Sequence, residues 1–258
     1  MSVLKSFCLA FSMFSKIPSP KVEWTEENRK YLFCFFPCVG AVVGAGMYVL
    51  WLLRLKAGIF IPFSVFALVG TVFPILITGG IHMDGFLDTM DAIHSYQSRE
   101  RKLEILKDSH VGAFACISLA CYLFLYGAAM YLLLDERQVI FLAVGFILSR
   151  TLSGLAILTV EGAKKEGLLY TMSGSAGKRV VLPVLFLWIF LSGIVSCYLC
   201  GIWGIGCIAV SLAFFFYYIH MARRSFGGLT GDLAGWFVTV YELLFVWFAG
   251  VAGYLWSF

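Results

Sequence analysis

The stretch VFPILITGGIHMDGFLDTMDAIH, Val72–His94, changes character within one line. Val72–Thr78 ends an apolar run, Gly79–Gly80 interrupts it, and three aspartates and two histidines follow where a membrane segment should emerge into water. Whether Asp84, Asp88 and Asp91 are a solvated helix end or hold something decides how the chain is read. Composition answers first for the fold. The 258 residues are 61% hydrophobic and 13% charged, with a mean hydropathy of +0.91. A soluble domain carries about 25% charged and about 45–50% apolar residues. This chain has too little polar surface to cover itself in water, so the expected class is all-α, a polytopic membrane helical bundle. Its eight cysteines lie mostly in apolar runs and read as small hydrophobes. Cys197-x-x-Cys200 lacks the soluble βαβ setting that would make it a redox pair.

A spanning helix needs about 20 mostly apolar residues. Seven runs qualify: Tyr31–Leu53, Ile59–Thr78, Gly112–Leu134, Val139–Val160, Val180–Cys200, Ile202–Met221 and Leu233–Trp256. The segment Ser2–Ser15 is apolar but short and is expected in the interface or re-entering the membrane. Pro18 and Pro20 follow it in place of a small-residue cleavage site, so no cleavable signal is expected. With the N-terminus in the cytoplasm, fifteen Lys and Arg fall on inner segments against three (Arg54, Lys56 and Arg137) on outer ones. That bias follows the positive-inside rule and puts the polar segments 79–111, 161–179 and 222–232 on the cytoplasmic side of a single membrane domain.

On a helix that turns about 100° per residue, Asp88 and Asp91 lie within roughly 40° of Asp84. Three like charges on one face repel, more so beside lipid. A bound cation removes the conflict, and carboxylates without cysteine favour Mg²⁺, or Mn²⁺, over zinc. The alternative is a solvated end whose acids complement the helix dipole. His82 and His94 are weaker candidates, for substrate contact or proton transfer or for ordinary interfacial packing. Ser98–Lys107 reads as a short amphipathic helix with Leu103 and Leu106 inward. Behind it, Lys107, Asp108, Ser109 and His110 cluster at the start of the third span, where Lys107 could meet a phosphate and Asp108 a hydroxyl or metal.

Arg150 inside a span is costly and so a functional candidate. Either it pairs with Glu242 or it faces a polar cavity and binds an anion. EGAKKEGLLYTMSGSAGKR, Glu161–Arg179, is basic and glycine-rich but departs from the P-loop pattern at Met172 and Arg179. In ARRSFGGLTGDLAG, Ala222–Gly235, the glycines admit phosphate oxygens to backbone N–H groups. Arg223 can grip such oxygens bidentately, and Asp232 can complete a metal site. Acids beside phosphate-gripping bases are the grammar of metal-assisted phosphoryl transfer.

GGIHMDGFLDTMDA followed by RERKLEILKDSHVGAF resembles the cobalamin-5′-phosphate synthase (adenosylcobinamide-GDP ribazoletransferase) family. The resemblance runs nearly the whole chain: FSKIPSP, FFPCVGAVVGA, Ser149–Arg150, AKKEGL, GGLTGD and Glu242 follow in the family's order. Departures are Lys164 for a usual arginine, Ala92 for a usual glycine, and Ser15–Lys16 for Thr-Arg. The resemblance implies a Mg²⁺-dependent, membrane-embedded transferase. It would join adenosylcobinamide-GDP to α-ribazole or its 5′-phosphate and release GMP, late in cobalamin nucleotide-loop assembly. It implies metal binding by Asp84, Asp88, Asp91 and Asp232, with Asp84, Asp88 and His82 nearest the chemistry. Lys107, Asp108, Ser109, Arg150, Lys164, Arg223 and Thr230 become candidates for substrate contacts. The implied setting is the cytoplasmic membrane of a prokaryote, multi-pass, with the lipid bilayer as partner, no nucleic acid, and an oligomer compatible. Two competing classes are the CDP-alcohol phosphotransferases and a transporter. In the first, Asp88-Thr89 would stand where an Ala-Arg pair belongs. Against the second, the polar motifs crowd one side instead of the midplane.

Overall fold

The computed structural model describes residues 2–56 and 62–256, and Ile59, the expected start of the second span, lies outside them. The described residues form helices and no strands, in the order α1 (Ser2–Phe14), α2 (Glu26–Arg29), α3 (Leu32–Lys56), α4 (Phe63–Thr78), α5 (Ile81–His94), α6 (Arg99–Ile105), α7 (Ala113–Met130), α8 (Glu136–Thr159), α9 (Leu168–Ser175), α10 (Lys178–Cys200), α11 (Ile202–Phe226) and α12 (Gly231–Trp256). Six of them are long and apolar enough to cross a membrane, or seven if the bent α4–α5 pair counts as one span. The protein is a polytopic helical bundle, as its composition requires.

α8 is the axis of the bundle. It is buried nearly all round, with α3, α10 and α12 packed against it. α10 and α11 turn Phe186, Phe190, Ile202 and Phe216 outward, an exterior suited to lipid tails. At one end, Asp135 and Gln138 form a capping box for α8, and Gln138 Nε2 also donates to Ala249 O of α12 at 3.2 Å. Buried polar atoms near lipid need such internal partners.

The opposite end is where the polar segments meet. α4 and α5 are bent by 97° at the glycine pair. Gly79 (φ +66°) and Gly80 (φ +80°) both take the left-handed conformation that a Cβ disfavours. The polar segment 79–111 is thus mostly the two helices α5 and α6, and α5 lies half-buried within the bundle against α12 and α7. α6 begins at its Ser98 cap, whose hydroxyl accepts from Arg101 N. Its Arg99 reaches Arg223 O at the end of α11 at 3.5 Å. α1 is tied in by Lys16 N donating to Ile77 O at 2.8 Å.

Candidate active site

Asp84, Asp88 and Asp91 all sit on α5, and packing decides which of them stay together. A Cβ placed on Gly85 would lie 2.7 Å from Asp232 O and 2.9 Å from Asp232 Cα. Only a glycine lets α5 and α12 approach this closely, and the approach carries Asp232 to the aspartates of α5. Asp88, half-buried, feels the charges of Asp84, Asp232 and Asp91. No Lys or Arg side chain forms an ion pair with Asp84, Asp88 or Asp232 among the described residues.

Asp91 has a different occupation. Its two carboxylate oxygens accept from Gly112 N at 2.7 Å and Ala115 N at 2.8 Å. It therefore caps α7, with its charge at the positive end of that helix. The three acids share one helix face as the spacing requires, but the third is turned to a neighbouring helix.

A second convergence brings Lys164 to the same place. Leu229 N donates to Glu161 O at 3.0 Å and Ala163 N to Leu229 O at 2.8 Å, forming a short parallel bridge between Gly162 and Leu229. Gly228 permits it, since a Cβ there would meet Glu161 O at 2.5 Å. The GGLTGD turn and the AKKEGL segment are therefore clamped side by side. Thr230 Oγ1 accepts from Leu233 N at 3.2 Å and starts α12. Lys164, whose Nζ is 3.5 Å from Leu103 O, interacts with both Lys107 and Asp232. Partial burial, and then the Lys107 charge, push its ammonium below the usual lysine range.

Two cavities flank Asp232. One, about 200 Å³, is lined by Phe14, Phe36, His82, Asp84, Met172 and Asp232 among others. The other, about 290 Å³, is more polar and is lined by Lys164, Glu166, Ser173, Thr230 and Asp232 among others. They share Ile157, Leu168, Leu169, Gly231 and Asp232. Phe14, Phe36, Met172 and Glu166 were not singled out from the sequence. Nothing in their local pattern marks them as neighbours, because they come from three separate segments of the chain.

The remaining candidates scatter. Lys107, Asp108 and Ser109 are exposed beside the site. His110 donates from its backbone N to Asp108 Oδ1 at 3.0 Å and its ring lies 2.7 Å from the same oxygen. These hydrogen bonds hold the Asp108 carboxyl below its ordinary range. Arg223 is exposed, with its carbonyl accepting from Arg99. Arg150 takes the pairing alternative: it is 1% exposed, its guanidinium donates to Glu242, and Ser149 Oγ joins both. It lines neither cavity. His94 is apart too, stacked on Phe114 at 5.1 Å.

The donor set suits a hard cation. Asp84, Asp88 and Asp232 supply oxygen ligands whose mutual repulsion a cation would relieve. Among the described residues, no three His, Cys, Asp or Glu side chains are drawn together tightly enough to hold an ion by themselves. Mg²⁺ does not need that. It is commonly held by one or two carboxylates, with waters and substrate phosphates completing the shell.

Fold and site together define an integral-membrane helical protein with an acidic, lysine-bordered double cavity at one end. The chain belongs to the cobalamin-5-phosphate synthase family, whose sequence profile it matches over residues 6–250, and it is accordingly an enzyme of cobalamin biosynthesis. It is 43% identical over 246 residues to the adenosylcobinamide-GDP ribazoletransferase of Lachnoclostridium phytofermentans, covering 95% of this chain and 92% of that one. The enzyme of the same name from Clostridium perfringens (strain 13) is 30% identical over 252 residues, 96% and 98% of the two chains. That from Listeria monocytogenes serotype 4b is 32% identical over 240 residues, 90% and 92%. No solved structure matches the chain.

Proposed function

We propose that the chain joins adenosylcobinamide-GDP to α-ribazole, or to its 5′-phosphate, with release of GMP. It would work with Mg²⁺ at the inner face of a prokaryotic cytoplasmic membrane. The observation that carries this reading is that Asp232 lines two adjoining cavities, with Asp84 in the wall of one and Lys164 in the wall of the other, while Asp88 and Lys107 lie close enough for their charges to be felt there. One cavity can take an acceptor and the other a diphosphate, with carboxylates between them. The fifteen-to-three distribution of basic residues supports the cytoplasmic orientation.

In the reaction, a ribose hydroxyl oxygen of the acceptor bonds to the corrinoid-linked phosphorus. The bond from that phosphorus to the GMP oxygen breaks, and GMP leaves with the electron pair. Asp84, Asp88 and Asp232 would hold Mg²⁺, which when bound offsets charge on the diphosphate and the departing GMP. Lys164 and Lys107 grip phosphate oxygens and orient the phosphorus. Asp84, the most exposed of the three acids, receives the hydroxyl proton. Thr230 and the N-terminal turn of α12 present hydrogen-bond donors to the same space.

The test is GMP release by the purified full chain in lipid nanodiscs, with and without Mg²⁺. Release that needs both substrates and the ion supports the reading. Uptake of corrinoid into vesicles without turnover would sink it.

A further inference from the structure

The cavity beneath Asp84 is more apolar than a phosphate site requires, and this carries an assignment that rests on the transferase reading above. His82 forms part of its wall and is 7% exposed. Its ring stacks on Phe36, with centroids 5.8 Å apart at 22°, and Phe14 lies 6.3 Å away. Neither ring nitrogen has a hydrogen-bond partner among the described residues. Nδ1 is wholly shut away and Nε2 is not, which leaves Nε2 as the nitrogen available to the cavity. A ring with no polar partner in the fold is rare, and a ligand atom in the cavity can reach this one only at Nε2.

We propose that this cavity seats the base of the acceptor nucleoside, an uncharged planar heterocycle with a single free ring nitrogen. That nitrogen accepts a hydrogen bond from Nε2–H of His82, and Phe14, Phe36, Met172 and Ile157 enclose the ring faces. The other substrate parts fit worse. A corrin macrocycle with its amide fringe is too large for about 200 Å³. Guanine carries several donors and acceptors along its edges, which need several partners. Asp84 and Asp232 also line the cavity, but they are the acids assigned above to the cation; beyond them the side chains with hydrogen-bonding atoms are His82 and Ser153, and Ser153 Oγ already donates to Ala234 O at 3.5 Å. A benzimidazole-type base asks for one hydrogen bond and finds one group. With the base so placed, the ribose sits at the rim between Asp84 and Asp232, and its hydroxyl faces the diphosphate in the cavity bordered by Lys164.

The experiment compares benzimidazole riboside with indole riboside, the isostere that lacks the free ring nitrogen. Full-length enzyme in nanodiscs is given adenosylcobinamide-GDP and Mg²⁺, and GMP release is followed. Wild type should favour benzimidazole riboside at least tenfold in kcat/KM, and His82→Phe should cut that preference below threefold. Met172→Trp, which narrows the cavity, should raise the nucleoside KM at least fivefold and leave the corrinoid-donor KM within twofold. A wild type without preference, a His82→Phe enzyme that keeps it, or a Met172→Trp enzyme whose donor KM moves instead overturns the assignment. Should the variants not fold, a diazirine on the base provides the readout in the wild type. Labelling at Phe14, Phe36 or Ile157 or within 81–85 or 168–172 supports the seat, and labelling elsewhere overturns it. A wild type that releases no GMP with any nucleoside breaks the transferase reading itself.

Discussion

Arg150 with Glu242, deep between α8 and α12, and Asp84, Asp88 and Asp232, at the rim of the same bundle, are opposite treatments of charge beside lipid. The first pair neutralises itself. Arg150 donates to Glu242, to Phe146 O at 3.0 Å and to Ser149 Oγ at 2.9 Å, and both side chains are almost wholly enclosed. The second group gathers one sign of charge with no ion-paired cation among the described residues. Charge that is satisfied internally holds helices in register. Charge that is concentrated and left unsatisfied is available to something from outside.

The largest effect expected from this contrast is on stability, at the pair. Glu242→Gln strands the Arg150 guanidinium in an apolar interior, at a cost of about 3–5 kcal/mol. Thermal unfolding in nanodiscs should register it. The double variant Arg150→Met with Glu242→Leu should lose far less, because no buried charge remains. A single Arg150→Met chain that unfolds normally but has a raised KM for the corrinoid donor would move Arg150 into the site and break the comparison.

At the rim the expectation reverses. Asp232→Asn should lower GMP release on the order of 100-fold, equivalent to about 2.7 kcal/mol of barrier. Its unfolding midpoint should hold or rise, since one of several repelling charges has gone. Equal loss of stability and activity would make Asp232 a structural acid like Glu242.

Asp91 tests the boundary between the two treatments. It shares the face of Asp84 and Asp88 yet is spent on the first turn of α7. Asp91→Ala should cost about 1–2 kcal/mol as a lost helix cap, and Asp91→Asn less, because an amide oxygen still accepts. Activity should follow stability in both. A stable Asp91→Asn chain with activity down 100-fold would return Asp91 to the ligands.

What was legible in the residues follows the range of the interactions involved. Apolar runs, the cap at Ser98 and the common face of α5 are local, and the chain spells them out. For the buried Arg150 and Glu242 the residues offered two readings, a mutual pair or an anion site, and only the packing of α8 against α12 decides for the pair. The partition of the aspartates was not, since Asp91 depends on where α7 begins and Asp232 on the α5–α12 approach at Gly85. GDLAG at the start of α12 held a usable hint, because Gly235 leaves that side of the helix without a side chain for α5 to meet. Gly235 would indeed bring a Cβ within 3.0 Å of His82 O. The apolar cavity was invisible in the sequence because its wall is assembled from α1, α3, α5, α8, α9 and α12.

Lys164 offers the finest test, because it belongs to neither treatment. It is a cation between Lys107 and Asp232, and burial and Lys107 lower its hold on a proton. Gripping phosphate needs the protonated form. A depressed value therefore means that kcat/KM, which reports the free enzyme, should fall on the alkaline side earlier than an ordinary lysine near 10.4 would dictate. Lys164→Arg should abolish that limb, since a guanidinium stays charged throughout the range. Near neutrality the change should be small, about threefold or less in donor KM, equivalent to at most about 0.7 kcal/mol. The sign there depends on whether the planar fork meets the phosphate from the same backbone position. An alkaline limb unmoved by Lys164→Arg would remove Lys164 from the grip on phosphate.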